Sequence, residues 1–231
     1  MSKLAPMQLL ELWERGASCG PHERALNLLL RALPGRTWEE LADLDLGSRD
    51  WHLLHLRHVW FGPSLAARGL CPSCQEQIEV ELDARQLQAS MPPDPAPLFV
   101  DDDGRRYRLP SSRDLLSLSA TVDLDSAANA LFEACCLDAG ETSAATAARV
   151  EEGLSALAAE RGIQLALQCE VCGETWTCAF DPGAFFWEEI DTEAQAVLDE
   201  VHLLAKAYGW NEAEVLSLSH ARRNAYLERV L

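Results

Sequence analysis

Two short cysteine pairs constrain this chain more than any other feature. Cys71-Pro72-Ser73-Cys74 and Cys169-Glu170-Val171-Cys172 each leave a two-residue gap, the spacing that lets consecutive thiolates reach one metal from a tight knuckle. Two such knuckles complete a tetrahedral shell of four sulfurs. Knuckles that share an ion usually lie much closer in sequence. The stretch between Cys74 and Cys169 therefore reads as an insertion whose ends the metal pins together.

The flanks agree with this reading. Gln77-Ile78-Glu79-Val80-Glu81-Leu82 alternates polar and apolar residues, as a half-buried strand does. Ile163-Gln164-Leu165-Ala166-Leu167-Gln168 and Thr175-Trp176-Thr177-Cys178-Ala179-Phe180 share that period of two on either side of the second pair. Knuckle, strand, strand, knuckle, strand is the order of a zinc ribbon. Gly173 suits the sharp turn out of the second knuckle, where the first has Gln75. Cys19, Cys135, Cys136 and Cys178 lack ligand spacing and read as core thiols, although Cys178 lies close enough in sequence to replace a ligand.

The charge bears on partners. The chain has 231 residues and a net charge of −18; its first 70 residues are neutral, so the whole acidic excess lies beyond them. Phosphate backbones would repel such a surface, which disfavours a nucleic-acid role. The 48% hydrophobic content is enough for a core. No Arg- or Lys-led apolar stretch opens the chain, and Arg31 interrupts its most apolar window, so neither a signal peptide nor a membrane span is expected. Eight cysteines without a secretion signal point to a reducing, cytoplasmic setting.

Residues 1–70 read as helices only: Met7 to Arg15 closed by Gly16, Pro21 to Leu33, a short helix opened by the capping box Thr37-Trp38-Glu39-Glu40, and Ser48 to Trp60. The last carries His52, His55 and His58 at three-residue steps, a stripe that could hold a second metal but that ordinary packing explains better. Residues 71–90 and 163–181 are the expected ribbon halves, and 91–162 the insertion. The insertion opens with the proline-rich Met91 to Pro97 linker and a hairpin turning at Asp101-Asp102-Asp103-Gly104. Helices are then expected at Ser112 to Ser119, Ser126 to Asp138 and Ser143 to Arg161. In residues 182–231, the Phe185-Phe186-Trp187 patch precedes a helix from Thr192 to Tyr208 and a second opened by Asn211. That helical hairpin is expected to dock a partner through Trp210 and Tyr226, with Arg222 and Arg223 at the rim, rather than to read DNA.

Several stretches resemble the T-even-type phage baseplate family, the hub-assembly chaperones and their relatives in contractile injection systems. One is Arg106-Tyr107-Arg108-Leu109-Pro110-Ser111-Ser112-Arg113-Asp114-Leu115-Leu116, with its Leu-Pro-Ser step before a helix. Others are His202 to Trp210 with Arg222-Arg223 and Tyr226-Leu227, the run Glu23-Arg24-Ala25-Leu26, and Phe61-Gly62. The resemblance implies a non-enzymatic protein that helps build the baseplate hub of a phage tail or tail-like particle, with baseplate, spike or hub proteins as partners.

The combined expectation is an α+β, mainly α fold: helical N- and C-terminal regions around a small four-cysteine zinc ribbon that carries a long helical insertion. Cys71, Cys74, Cys169 and Cys172 are its ligands to one structural Zn²⁺. The rivals are a rubredoxin-like iron electron-transfer protein, which uses the same four thiolates, and a zinc-ribbon nucleic-acid-binding or adaptor protein. No phosphate loop, nucleophile motif or metallohydrolase motif occurs, so no enzyme is expected.

Overall fold

The helical periodicity of the first sixty residues becomes four helices: α1 (Pro6–Ala17), α2 (Pro21–Ala32), α3 (Trp38–Ala42) and α4 (Leu46–Phe61). The computed structural model describes residues 4–92, 94–118, 123–140 and 143–230. Pro93 of the linker, and the Ser119 end of the helix expected from Ser112, fall outside the described residues. Thr37 caps α3 as expected, its hydroxyl accepting from Glu40 N while the Glu40 carboxylate accepts from Thr37 N. Gly16, by contrast, does not end α1. It faces the Trp187 indole so closely that an added Cβ would lie 2.1 Å from the ring, so its missing side chain serves packing.

After α4 the chain forms a hairpin of β1 (Ser64–Leu70) and β2 (Gln77–Asp83), then the short helix α5 (Ala84–Ala89). The first seventy residues are therefore not helical throughout. Ser64 to Leu70 lacks β-branched residues and clean alternation, and only pairing with β2 makes it a strand. A two-residue hairpin follows the linker, β3 (Phe99–Val100) with β4 (Arg106–Tyr107), and Gly104 supplies its one positive φ, +82°. Next come α6 (Ser112–Ser117), α7 (Leu124–Cys135) and α8 (Ala144–Arg161), then a second long hairpin of β5 (Ile163–Gln168) and β6 (Thr175–Phe180).

The last segment departs most from expectation. The aromatic patch does not precede the helix but lies within it: Asp181 caps a 27-residue helix, α9 (Pro182–Tyr208), which begins ten residues before the expected Thr192. The Asp181 carboxylate accepts from Gly183 N and Ala184 N, and Pro182 occupies the first turn, where no N–H is needed. The final helix is broken in two, α10 (Glu212–Ser217) and α11 (His220–Leu227), with Asn211 and Ser219 as caps.

Two apolar cores result among the described residues. The larger joins α1, α2, α3, α4 and α9 through Leu9, Leu26, Leu29, Leu41, Leu53, Phe186 and Ile190. Each such side chain contributes about 1.5–3 kcal/mol by leaving water. The smaller joins Leu54, Leu65, Ala84, Met91 and Ile163, with Phe180 and Phe185 against it. α4 lies between the two cores, sending Leu53 and Leu56 one way and Leu54 the other. Its Arg57, 4% exposed, grips Glu189 of α9 with two guanidinium nitrogens at 2.8 and 2.5 Å and donates to Gly62 O.

A polar knot fastens the insertion to the start of α4. Asp45 caps that helix through Ser48 N at 3.0 Å and accepts from Arg161 Nε at 3.1 Å, while Arg161 also donates to Ser48 Oγ and to Asp94 O. Leu46 N donates to Pro110 O, and Asp45 and Ser111 form an antiparallel bridge. Next to this bridge, the Arg108 guanidinium forks onto Asp114 at 2.6 and 2.8 Å, and Asp114 in turn accepts from Ser111.

Candidate metal centre

Each cysteine pair sits at the tip of one long hairpin, and the two tips are built alike. β1 and β2 close with Leu70 opposite Gln77, and β5 and β6 with Gln168 opposite Thr175. Both pairings leave a six-residue turn that begins with the first cysteine. In the first, Cys71 N donates to Glu76 O and Gln75 N to Cys71 O; in the second, Cys169 N donates to Glu174 O and Gly173 N to Cys169 O. These bonds, all 2.9–3.0 Å, turn both thiols of each pair toward one point.

The fifth residue of each turn is left-handed, with φ of +61° at Gln75 and +76° at Gly173. Gln75 is the one non-glycine with positive φ among the described residues, and its side-chain amide donates to Cys71 O and Pro72 O. Nothing lies within 4 Å of a Cβ added at Gly173, so Gly173→Ala tests the backbone cost alone. It is expected to lower stability by about 1–2 kcal/mol in chemical denaturation without changing metal stoichiometry. A variant as stable as the parent would refute that cost.

The four sulfurs lie within 4.8 Å of one another, the only His, Cys, Asp and Glu grouping of this kind among the described residues. Cys71 Sγ is 3.6 Å from Cys172 Sγ, and Cys74 Sγ is 3.7 Å from Cys169 Sγ. Disulfide sulfurs would be about 2.05 Å apart. A tetrahedral ion with metal–sulfur bonds of about 2.3 Å spaces its sulfurs about 3.8 Å apart, so these four cysteines could hold a metal ion. Cys71 and Cys169 are buried and Cys74 and Cys172 exposed, so the centre lies at the surface with its inner half covered.

The two hairpins are separate two-stranded sheets, and no strand pairing joins them among the described residues. The strands of the expected zinc ribbon therefore stand as two hairpins rather than one sheet. Strand, knuckle, strand occurs twice, and β1 before the first knuckle lacks the alternation that marks β2, β5 and β6 in sequence. Cys178 lies on β6 opposite Leu165, outside the cluster. Cys135 is buried, and burial pushes its thiol up to about 11. The histidine stripe does not converge: the His55 ring stacks on Trp51 at 6.1 Å, and His52 is held below its usual pKa, first by burial and then by Arg36.

Four neighbouring thiols cannot all ionise without a cation. Backbone N–H groups of Cys74 and Ser73 draw Cys71 down to about 7 against the pull of burial. Cys74 accepts from Glu76 N, which alone would lower it, yet desolvation and the sulfurs of Cys172, Cys169 and Cys71 push it up to about 12. A divalent cation reverses this conflict, because it binds thiolates and expels their protons. Metal loading at pH 7 is therefore expected to release protons into weakly buffered solution. Affinity should fall as pH drops through about 7, where Cys71 takes up its proton. Loading without proton release would show that these sulfurs are not the ligands.

No protein-family model, curated protein or solved structure matches the chain. No helix among the described residues is long and apolar enough to cross a membrane. In the closing helices, Arg223 is 3% exposed and ion-paired with Glu200, so it is not a rim residue. Tyr208, Trp210 and Tyr226 pack on one another with ring centroids 4.7–5.4 Å apart.

Proposed function

We propose that this chain is a non-enzymatic structural or assembly protein in which one Zn²⁺, held by Cys71, Cys74, Cys169 and Cys172, locks two hairpins together. The observation that carries the reading is the spacing of those four sulfurs, delivered by hairpins about 95 residues apart in sequence. Four thiolates fill the shell of a zinc ion and leave no position for substrate or activated water, as in structural rather than catalytic sites. The acidic chain disfavours the nucleic-acid alternative, which predicts salt-sensitive retention on heparin.

The setting we propose is the baseplate hub of a contractile phage tail or phage-tail-like injection particle. Its support is the resemblance carried by Arg106 to Leu116, together with the mechanical role those residues have. Pro110 O and Ser111 join the insertion to α4, and the Arg113 guanidinium pairs with Asp43 at 2.5 Å. A protein that presents docking surfaces at fixed angles needs such a joint. The test is a pull-down from the native host with metal analysis of the recovered protein. Baseplate, spike or hub subunits and one zinc per chain are the expected result. Iron, visible as a red colour when oxidised, with redox proteins in the eluate would instead assign the rubredoxin-like role.

A further inference from the structure

α7 and α8 bury very little of themselves. Of twelve residues in α7 only Cys135 is buried, and of eighteen in α8 only Thr146, Val150 and Arg161 are. Yet α7 carries Leu124, Ala128, Leu131 and Cys135 at steps of four, three and four, one continuous helical stripe. Leu124 at its start is 89% exposed. Between the two helices runs an open groove of about 240 Å³, lined by Ala128, Leu131 and Phe132 from α7, Leu154 and Ala158 from α8, and Pro110 below. It shares no residue with the metal centre.

Charge selects the occupant. The two helices carry the acids Asp125, Glu133, Glu151, Glu152 and Glu160, all exposed, and no lysine. Their two arginines are already engaged, Arg149 with Asp102 at 2.6 Å and Arg161 with Asp45 at 3.1 Å. Of these acids Glu151 lines the groove itself, and a second copy of the chain would set that carboxylate in another acidic surface, a like-charge contact that interfaces avoid. A helix with an apolar stripe and lysines or arginines beside it satisfies both the groove and its rim.

We propose that the groove between α7 and α8 docks an amphipathic helix with a basic polar face, supplied by a partner protein. The proposal stands independently of the particle in which the chain works. The probe is a fluorescent synthetic helix of about 18 residues, roughly five turns, with leucines on one face and lysines on the other. It is titrated with the metal-loaded full chain and read by anisotropy. Saturable one-to-one binding is expected, weakening as salt rises.

Binding should fall about tenfold or more in Leu131→Gln/Leu154→Gln, which removes two apolar contacts from the groove floor. Should circular dichroism show that pair to be misfolded, Leu124→Gln/Ala128→Gln, both on exposed positions, must still weaken binding severalfold. A scrambled peptide of the same composition should not saturate. Equal binding of the scrambled peptide, or unchanged affinity in the well-folded variants, would overturn the proposal. Sedimentation adds an independent outcome: a dimer that Leu131→Gln/Leu154→Gln dissolves would give the groove to a second copy instead.

Discussion

Cys169→Ser is expected to reduce bound metal from one ion per chain to nearly none and to unfold the tips of the two long hairpins. A structural Zn²⁺ contributes on the order of 10 kcal/mol to a small domain, and a whole domain is typically stable by only about 5–15 kcal/mol. The hairpins have little else to hold their tips. Most of β1 and three of the seven residues of β2 are exposed, and their cross-strand ion pair, Arg68 with Glu79, is open to water and contributes little. The helical bundle should outlast them, because none of the four cysteines belongs to its core. Helical circular dichroism should thus persist while amide protection disappears from the tip halves, residues 67–80 and 166–177, and remains at the bases, which Leu65 and Ile163 hold in the smaller core. Strong chelators should reproduce the effect reversibly, and Cys19→Ser should not. A Cys169→Ser protein that keeps both metal and tip protection would remove the basis of the zinc-clamp reading.

Arg161→Leu should cost about 3–5 kcal/mol at pH 7, the scale for breaking one side of a buried ion pair. Its guanidinium ties the end of α8 to the α4 cap and to the linker carbonyl of Asp94. Leucine leaves Asp45, 11% exposed at its side chain, without its cation. Burial by itself would raise the Asp45 carboxyl. The Ser48 hydroxyl and N–H, then Arg161 and the Ala96 N–H, hold it below its usual value instead. A carboxyl depressed in the folded state contributes stability that is present above the unfolded pKa and lost as pH falls through the folded one. The gap between parent and variant in urea denaturation should therefore be widest near neutrality and shrink below about pH 4. Arg161→Lys keeps the charge but not the fork, and should fall between the two. Equal midpoints at pH 7 would mean that the knot is not what secures the insertion.

The parts of the fold that were legible in sequence are those governed by neighbours in the chain. The alternation in Ile163–Gln168 and Thr175–Phe180 gave both strands to the residue, and the Thr37 and Asn211 boxes gave two helix starts. The grouping of the four cysteines was legible because two-residue gaps between thiols have few other uses. Three features were not. β1 has the composition of a helix and becomes a strand only by pairing with β2. The first ten residues of α9 are hidden in sequence because Phe185-Phe186-Trp187 shows no helical period. Those rings face different ways, Phe185 into the small core and the other two into the large one. Arg223 looked like a surface cation, but Glu200, a helix away, draws it inside.

By itself the amino-acid order determined which four thiols could share an ion, where most helices cap and where the acidic charge lies, because each depends on residues a few positions apart. Only the tertiary structure decided that the knuckles meet as two separate hairpins rather than one sheet, that α4 serves two cores, and that Arg161 fastens the insertion. Those outcomes depend on which distant surfaces exclude water together. Local spacing does not encode that.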